Sequence, residues 1–132
     1  MKFNQILTLL CAIAATGLCS PFANAQVPAL NKGDEVILDM SQAFKKNDKT
    51  RLSALLPKSR GHVLEPLAAY WEMRARLDTA PESEIRSFLN SYAGSYYEDR
   101  LRNDWLLQLG KRRDWAGFTA EYPRYRMRDD RE

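Results

Sequence analysis

The chain has 132 residues, of which 45% are hydrophobic, and it carries 20 Lys+Arg against 17 Asp+Glu for a formal net charge of +3. This length fits one domain, and the apolar fraction excludes a disordered chain. The balanced charge gives no sign of a nucleic-acid binder. Only six glycines are present, which leaves little material for a phosphate-binding loop.

Residues 1–25 have the pattern of a secretory signal peptide. Lys2 supplies an early positive charge, the run from Ile6 to Leu18 is uncharged, and Ala-Asn-Ala at 23–25 forms a small-x-small site. This order predicts cleavage between Ala25 and Gln26. The alternative is a membrane anchor, but a spanning helix needs about 20 apolar residues and this run is shorter. We therefore expect a periplasmic protein that has no membrane contact after cleavage.

Both cysteines, Cys11 and Cys19, lie inside this segment. Each follows a leucine, whereas lipidation requires a small residue before the cysteine, so we expect no lipid anchor. The mature chain then has no cysteine and folds by packing alone, without disulfides. An export signal also argues against a role in binding DNA or RNA.

Residues 26–32 contain Pro28 and show no periodicity, which predicts a flexible lead-in. From Gly33 onward the apolar spacing is helical and predicts a helical domain over residues 33–132. The apolar stripes of the first three predicted helices are Val36, Ile37, Met40, Ala43 and Phe44; Leu52, Leu55 and Leu56, ended by Pro57; and Leu64, Leu67, Ala68, Trp71 and Leu77, with Pro66 in the first turn.

The fourth predicted helix begins at a capping box, in which Thr79 is the N-cap and Glu82 returns the hydrogen bond. A fifth is opened by Glu98-Asp99, and a sixth is capped by Asp114 and stopped by Pro123. No strand is expected, because β-branched residues are few and do not alternate with polar ones. The stripes of these helices are Ile85, Phe88, Leu89 and Tyr92; Leu101, Trp105, Leu106 and Leu109; and Trp115, Phe118 and Tyr122.

The sequence repeats weakly along its length. Shifting the chain by 33 maps Asp48 onto Pro81 and then onto Asp114, each at an expected helix start. The match fails in places, since Leu55 maps onto Phe88 but then onto Glu121. Such a spacing is typical of a helix–turn–helix solenoid. We predict an all-α superhelix (an α-solenoid) of about three antiparallel helix pairs.

The last predicted helix has no neighbour to cover it. Trp115, Phe118 and Tyr122 are followed only by the charged stretch 124–132, which has no apolar stripe. Terminal units of a helical array need a polar outer face. The array is therefore expected to be incomplete at its C-terminal end.

No group of residues predicts catalysis or metal binding. His62 is the only histidine, and without nucleophile or ligand partners it is expected to be an exposed loop residue. Helix dipoles and solvation account for the acidic pairs, which are Glu82 with Glu84, Glu98-Asp99 and Asp129-Asp130. We predict no catalytic, cofactor-binding or metal-binding residue, and no cofactor.

The aromatic residues suggest packing first and binding second. Trp71, Trp105 and Trp115 fall in or beside the apolar stripes, which predicts core packing. Five tyrosines are placed less regularly, and some of them suit a concave surface that stacks on sugar rings: Tyr92, Tyr96, Tyr97, Tyr122 and Tyr125. Two basic regions are either solvated turn faces or contacts to an anionic polymer: Lys45, Lys46, Lys49, Arg51, Lys58 and Arg60, and later Arg124, Arg126 and Arg128.

The stretch from Leu64 to Arg74, which reads LEPLAAYWEMR, resembles the proline–leucine–aromatic helix of the soluble lytic murein transglycosylases. Phe88-Leu89, Leu101–Leu106 and Gly110–Trp115 continue the resemblance in the same order, and it spans about Gly33 to Tyr125. In that family a superhelix of short helices precedes a lysozyme-like domain. That domain cleaves the MurNAc–GlcNAc bond of peptidoglycan and leaves a 1,6-anhydro end.

The resemblance implies that the chain is the N-terminal scaffold of such an enzyme, either a fragment or a truncated product. Glu82-Ser83 matches the family's catalytic Glu-Ser pair, but it opens a helix and no Gly-Leu-Met-Gln follows. The chain alone is thus expected to be inactive, reaching peptidoglycan glycan strands through the missing domain and contacting cell-wall proteins. The alternative is a free-standing periplasmic helical-repeat adaptor that binds protein or cell wall without catalysis.

Overall fold

A computed structural model describes residues 31–127, and across that range the chain forms six α-helices and no strand. The all-α prediction is therefore confirmed, while the predicted signal peptide lies outside the described residues. Helices α2 and α6 each continue into a short 3-10 turn, Leu56–Ser59 and Tyr122–Arg124. The α-helices are α1 (Lys32–Lys45), α2 (Lys49–Leu55), α3 (Glu65–Ala75), α4 (Glu82–Ser91), α5 (Tyr96–Lys111) and α6 (Trp115–Glu121).

Polar side chains cap most of these helices at their first turns. The carboxylates of Asp48 and Asp114 accept backbone N–H groups three residues ahead, both at 2.9 Å, as N-cap residues do. Asn31 forms a capping box with Asp34, so α1 begins at Lys32, one residue before the predicted boundary. Pro66 lies in the first turn of α3, as predicted.

The predicted capping box at Thr79 is wrong. The N-cap of α4 is Pro81, and the hydroxyl of Thr79 instead donates to the carbonyl of Arg76 at 3.2 Å. Glu82 pairs with Arg86 across one turn of α4 at 2.6 Å. The physical reason is the proline, because the residue before a proline is disfavoured in the α-helical region. The helix therefore starts after Pro81 rather than at Thr79.

The repeat seen in the sequence is present in the helix starts. The N-caps of α2, α4 and α6 are Asp48, Pro81 and Asp114, as the shifted sequence predicts. The turns before α2 and α6 have the same backbone, since Asn47 and Arg113 both adopt left-handed conformations with φ of 53° and 59°. The two turns, which read KKND at 45–48 and KRRD at 111–114, therefore have closely similar local geometry.

Two apolar clusters hold the helices together, and α3 contributes to both. Helix α2 packs against α3 and α4 packs against α5, while α3 also contacts α1 and α5. The predicted stripes of α1, α2, α4 and α5 supply most of the buried members. On α3 the prediction is partly wrong, since the buried Ala69, Met73 and Ala75 lie outside the predicted stripe and Leu64 is exposed. The buried members are Ile37, Met40, Ala43, Leu52, Leu55, Ala68 and Ala75 in one cluster, and Ala69, Met73, Leu77, Ile85, Phe88, Leu89, Leu101, Trp105 and Leu109 in the other.

The tryptophans divide between core and surface. Trp105 is buried and Trp71 is half-buried, stacked on Phe44 with ring centroids 5.9 Å apart. Trp115 is 60% exposed, so the prediction of core packing is wrong for this residue. The reason is its position at the start of α6, beyond which no described element packs.

Candidate functional site

A groove runs across α1, α3 and α5. It consists of two adjoining hollows of about 350 and 490 Å³, which share Phe44, Arg74 and Asp104. Half of the residues around the larger hollow are aromatic, whereas most of those around the smaller hollow are polar. The other lining residues are Leu67, Tyr70, Tyr96, Tyr97 and Arg100 at the aromatic end, and Asn47, Lys49, Ala75, Leu77, Asp78, Leu107, Gln108 and Lys111 at the polar end.

A buried carboxylate forms the floor where the two hollows meet. The side chain of Asp104 is only 3% exposed; it accepts the hydroxyl of Tyr70 at 2.7 Å and the Nε of Arg74 at 2.9 Å. Burial raises the pKa of Tyr70 to about 12, and the hydrogen bond to Asp104 acts in the same direction. Tyr70 therefore keeps its proton at neutral pH and holds the carboxylate in place. Arg74 remains half-exposed and presents its guanidinium to the groove.

Three tyrosine rings form the wall of the aromatic end. Tyr70 and Tyr97 have ring centroids 6.1 Å apart, and Tyr97 meets Tyr96 edge to face at 5.5 Å. Tyr96 is 61% exposed. Such edge-to-face contacts fix the orientation of rings whose outer faces stay accessible. The wall therefore offers a preformed aromatic surface beside charged groups.

Charged contacts fix the polar end of the groove. Lys49 Nζ pairs with Asp78 at 2.9 Å, and this hydrogen bond lowers the pKa of the Asp78 carboxyl. The guanidinium of Arg112 donates to the backbone carbonyl of Asp78. These contacts join the start of α2, the turn after α3 and the end of α5. Helices α2, α3 and α5 are thereby linked at this end of the groove.

A second polar cluster lies between α5 and α6, away from the groove. Glu121 is 1% exposed and contacts the guanidinium of Arg102, which also pairs with Glu98 at 2.5 Å. Arg86 reaches Glu121 at 3.2 Å. Glu121 occupies the repeat position where Leu55 and Phe88 are buried in the two preceding pairs. A buried charge network thus takes the place of apolar packing in the third pair.

His62 is not the exposed loop residue that was predicted. Its Nε2 lies 2.9 Å from Asp34 Oδ1, its Nδ1 accepts the backbone N–H of Leu64 at 3.0 Å, and its side chain is 14% exposed. The hydrogen bond from His62 lowers the pKa of Asp34. Gly33 leaves room for the ring, since a Cβ there would lie 3.0 Å from His62 Cδ2. The histidine therefore ties the loop before α3 to the first turn of α1.

The predicted acidic pairs take part in structural contacts. Glu84 pairs with Arg76 at 2.5 Å, and Asp99 accepts the backbone N–H groups of Arg126 and Met127. Burial acts to raise the pKa of Glu98, but the backbone N–H of Gly94 and the charge of Arg102 outweigh it and the pKa is lowered. Asp129-Asp130 lies outside the described residues.

The basic regions and the remaining tyrosines do not converge on one site. Lys45, Lys46, Lys58 and Arg60 are exposed, and Arg51 pairs with Asp39 at 3.1 Å. Tyr92 packs on Phe88 with ring centroids 4.6 Å apart, while Tyr122 and Tyr125 lie after α6. Arg128 falls outside the described range. Of the five tyrosines singled out in the sequence, the structure brings Tyr96 and Tyr97 into the groove.

Sequence reasoning missed Arg74, Arg100 and Asp104 as groove residues. Arg74 lies on α3 and has no such signal, but Arg100 and Asp104 belong to a stripe on α5. The residues of α5 that line the groove recur at helical spacing beside the apolar stripe: Tyr97, Arg100, Asp104, Gln108 and Lys111. Residues three and four apart share one face of a helix. A search for a second, polar stripe on the fifth predicted helix would have found these residues.

Within residues 31–127 no group of His, Cys, Asp and Glu side chains has the arrangement of a metal site. The same part of the chain contains no helix of the length and hydrophobicity that crossing a membrane requires. The described structure defines an all-α protein with a mixed aromatic and charged groove. Comparisons with protein-family models, with curated proteins and with solved structures found no match.

Proposed function

We propose that the chain is the helical scaffold of an exported peptidoglycan lytic transglycosylase and that its groove contacts the glycan strand. The main support for the proposal is the position of the segment from Leu64 to Arg74, which resembles a helix of that family. This segment forms most of α3, and its Tyr70 and Arg74 lie at the centre of the groove. The family-like stretch and the candidate site are therefore the same part of the molecule.

The lining of the groove suits an anionic glycan. The apolar face of a pyranose ring stacks on aromatic side chains, and Tyr96 and Tyr97 present such rings. Guanidinium groups bind carboxylates in a fixed geometry, and peptidoglycan carries carboxylates on its stem peptides. Arg74 and Arg100 lie beside the tyrosine wall. Sugar and carboxylate recognition are thus both available along one groove.

The helix pairs support a solenoid scaffold. N-caps at Asp48, Pro81 and Asp114 and the packing of each second helix on the following first helix are features of an α-solenoid. We include in the proposal a superhelix of three antiparallel pairs, exported by a signal peptide that is cleaved after Ala25. Amino-terminal sequencing of the periplasmic protein should begin at Gln26. An intact Met1 on protein recovered only from the cytoplasm would contradict the export.

Co-sedimentation with purified murein sacculi tests glycan binding. Tyr96 and Tyr122 form a matched pair, since they are 61% and 55% exposed and lie in the groove and after α6 respectively. Tyr96→Ala should weaken binding roughly tenfold, which corresponds to about 1.4 kcal/mol of binding free energy, and Tyr122→Ala should leave it unchanged. Absence of sedimentation, or equal losses in the two variants, would contradict the proposal.

The same incubation tests the expected lack of catalysis. Soluble products are separated by chromatography and identified by mass spectrometry. The chain alone should release no 1,6-anhydromuropeptides from the sacculi, because the resemblance covers only the superhelical part of the family and no Gly-Leu-Met-Gln follows Glu82-Ser83. Release of these products by the purified chain would refute the scaffold assignment.

A free-standing periplasmic adaptor is the second candidate, and the exposed aromatic residues in α6 and directly after it favour this alternative. Trp115 and Tyr122 present apolar surface of the kind found at protein interfaces. The coding sequence beyond Glu132 discriminates between the candidates. An in-frame lysozyme-like domain supports the transglycosylase scaffold, and a stop codon without such a domain supports the adaptor.

A further inference from the structure

The groove across α1, α3 and α5 carries an excess of positive charge. Four cationic side chains line its two hollows, whereas only two carboxylates of the described chain do so, Asp78 and Asp104. The whole chain of 132 residues has a formal charge of only +3, so the imbalance is concentrated here. A ligand that complements the groove is therefore anionic. The four cations are Lys49, Arg74, Arg100 and Lys111.

The excess remains after the ion pairs inside the groove have been counted. Asp78 pairs with Lys49 at 2.9 Å. Asp104 accepts the Nε of Arg74 at the same distance. Within residues 31–127 no third carboxylate lines the groove to balance the two other cations. Of these, Lys111 is exposed and has no acidic partner in that part of the chain.

The two other cations lie towards opposite ends of the groove. Arg100 lines the aromatic end and Lys111 the polar end, and both belong to α5. They are separated by about three helical turns on one face, so their Cα atoms lie about 16 Å apart along the helix axis. A ligand with one carboxylate reaches only one of these cations, whereas a polymer with carboxylates at intervals reaches both. The arrangement therefore favours an anionic polymer over a small anion.

The aromatic wall and the charged floor of the groove meet at one residue, Tyr70. Its ring lies 6.1 Å from that of Tyr97, and its hydroxyl donates to Asp104 at 2.7 Å. Arg100 also hydrogen-bonds to the Tyr70 side chain. A sugar ring that stacks on this wall brings its own substituents directly to the arginine. A carboxylate further along a peptide reaches the arginine only when the peptide is ordered, which costs affinity. The geometry therefore favours a carboxylate that is carried on the sugar itself.

We propose that the groove selects glycan strands from which the stem peptides have been removed, so that the lactyl carboxylates on the sugars are free. In intact peptidoglycan the lactyl carboxyl group forms the amide bond to the stem peptide and carries no charge. Hydrolysis of this bond adds water, leaves a carboxylate on the sugar and releases the peptide with a free amino group. A reaction of the amidase class must therefore supply the ligand. This proposal rests on the proposed function, because it specifies which form of the glycan strand the groove binds.

Three forms of the same fluorescently labelled strands test this selection by fluorescence anisotropy. Strands released from sacculi by an endopeptidase retain their stem peptides, an amidase then removes the peptides, and coupling to methylamine finally neutralises the lactyl carboxylates. The charged, peptide-free strands should bind roughly tenfold tighter than either other form, because hydrogen bonds to ionised groups are the stronger ones. If these strands are not the tightest-binding form, the selection is refuted, whereas binding of any form leaves the proposed glycan contact standing. Absence of binding to all three forms and to sacculi would overturn the proposed function as well.

Variants locate the selection in the groove. Lys111→Gln should weaken binding of the charged, peptide-free strands roughly threefold, as expected for an exposed charged contact, and should leave binding of the methylamide strands unchanged. Lys58→Gln is the matched control, because Lys58 is also exposed but lies in the 3-10 turn after α2, outside the groove, and it should change neither affinity. Tyr96→Ala should weaken both forms by similar factors, because stacking does not depend on the carboxylate. Equal losses in the two lysine variants, or no loss in Lys111→Gln, would refute the proposal.

Discussion

Removal of the Glu121 carboxylate tests the buried network between α5 and α6. Glu121 is 1% exposed and contacts Arg102, whose side chain is 5% exposed. The Glu121→Ala substitution leaves this guanidinium without its closest partner. Breaking a buried ion pair in this way costs about 3–5 kcal/mol. We expect about 3 kcal/mol, because Glu98 still pairs with Arg102 at 2.5 Å.

Replacement of both partners gives the opposite expectation. The repeat equivalents of Glu121 are Leu55 and Phe88, and those of Arg102 are Val36 and Ala69. An apolar pair is therefore compatible with this position in the fold. The double variant Glu121→Leu with Arg102→Met should have a free energy of unfolding within about 1 kcal/mol of the original protein, or higher. The Nε of Arg102 has no partner among the described residues, so its burial is only partly compensated.

Urea denaturation at pH 7, followed by far-UV circular dichroism, measures these changes. A loss of about 3 kcal/mol is a large part of the roughly 5–15 kcal/mol typical of a domain, so the midpoint should fall markedly at constant slope. Glu84→Ala is the control, since this carboxylate is 47% exposed in its pair with Arg76 and should cost at most about 1 kcal/mol. A cost below about 1 kcal/mol for Glu121→Ala, or a double variant as unstable as the single one, would refute the reasoning.

Three further predictions concern the turns, the core and the groove. Arg113→Gly should raise the free energy of unfolding by up to about 1 kcal/mol in the same urea assay, because glycine adopts positive φ without the steric cost of arginine. Asn47→Gly is the control and should change the free energy of unfolding little, because asparagine tolerates this conformation. Equal effects of the two substitutions would contradict this explanation. Leu101→Ala should cost about 2–5 kcal/mol because Leu101 is fully buried, and Leu107→Ala on the same helix, 37% exposed, should cost less than about 0.5 kcal/mol. In a spectrophotometric titration of the six tyrosines, one tyrosine should ionise near pH 12, and this step should disappear in Tyr70→Phe. The pKa of Tyr70 in the folded protein exceeds its unfolded value of 10.0. The contribution of Tyr70 to stability is therefore complete below pH 10 and falls as the pH rises towards 12.

Much of the helical architecture could be predicted from the sequence because it depends on local features. The stripe of Ile37, Met40 and Ala43 predicted the buried face of α1, and all three residues are buried. Asp48 and Asp114 were identifiable as N-caps because a carboxylate three residues before a free backbone N–H satisfies it locally. Thr79 had the same local signature but failed, because Pro81 moves the helix start past it.

The groove could not be predicted in the same way, since it depends on the distance between helices. Tyr70 and Asp104 are far apart in the chain, and only the packing of α3 against α5 brings the hydroxyl within 2.7 Å of the carboxylate. His62 and Asp34 meet for the same reason, across α1 and the loop before α3. The periodicity of a single segment shows which face of its own helix is buried, but it does not show which residues of two different segments come into contact.

By itself the sequence determined the all-α class, the helix boundaries to within a few residues and the regular spacing between helix starts, because apolar periodicity and capping act over a short stretch of chain. The tertiary structure alone decided which polar residues are buried. Glu121 breaks the apolar repeat in the sequence, yet it is among the most buried residues, because α5 supplies the charge of Arg102 beside it. On α6 the charged Glu121 is buried and the aromatic Trp115 is exposed. The neighbours that surround each residue, rather than its hydrophobicity, decide this difference.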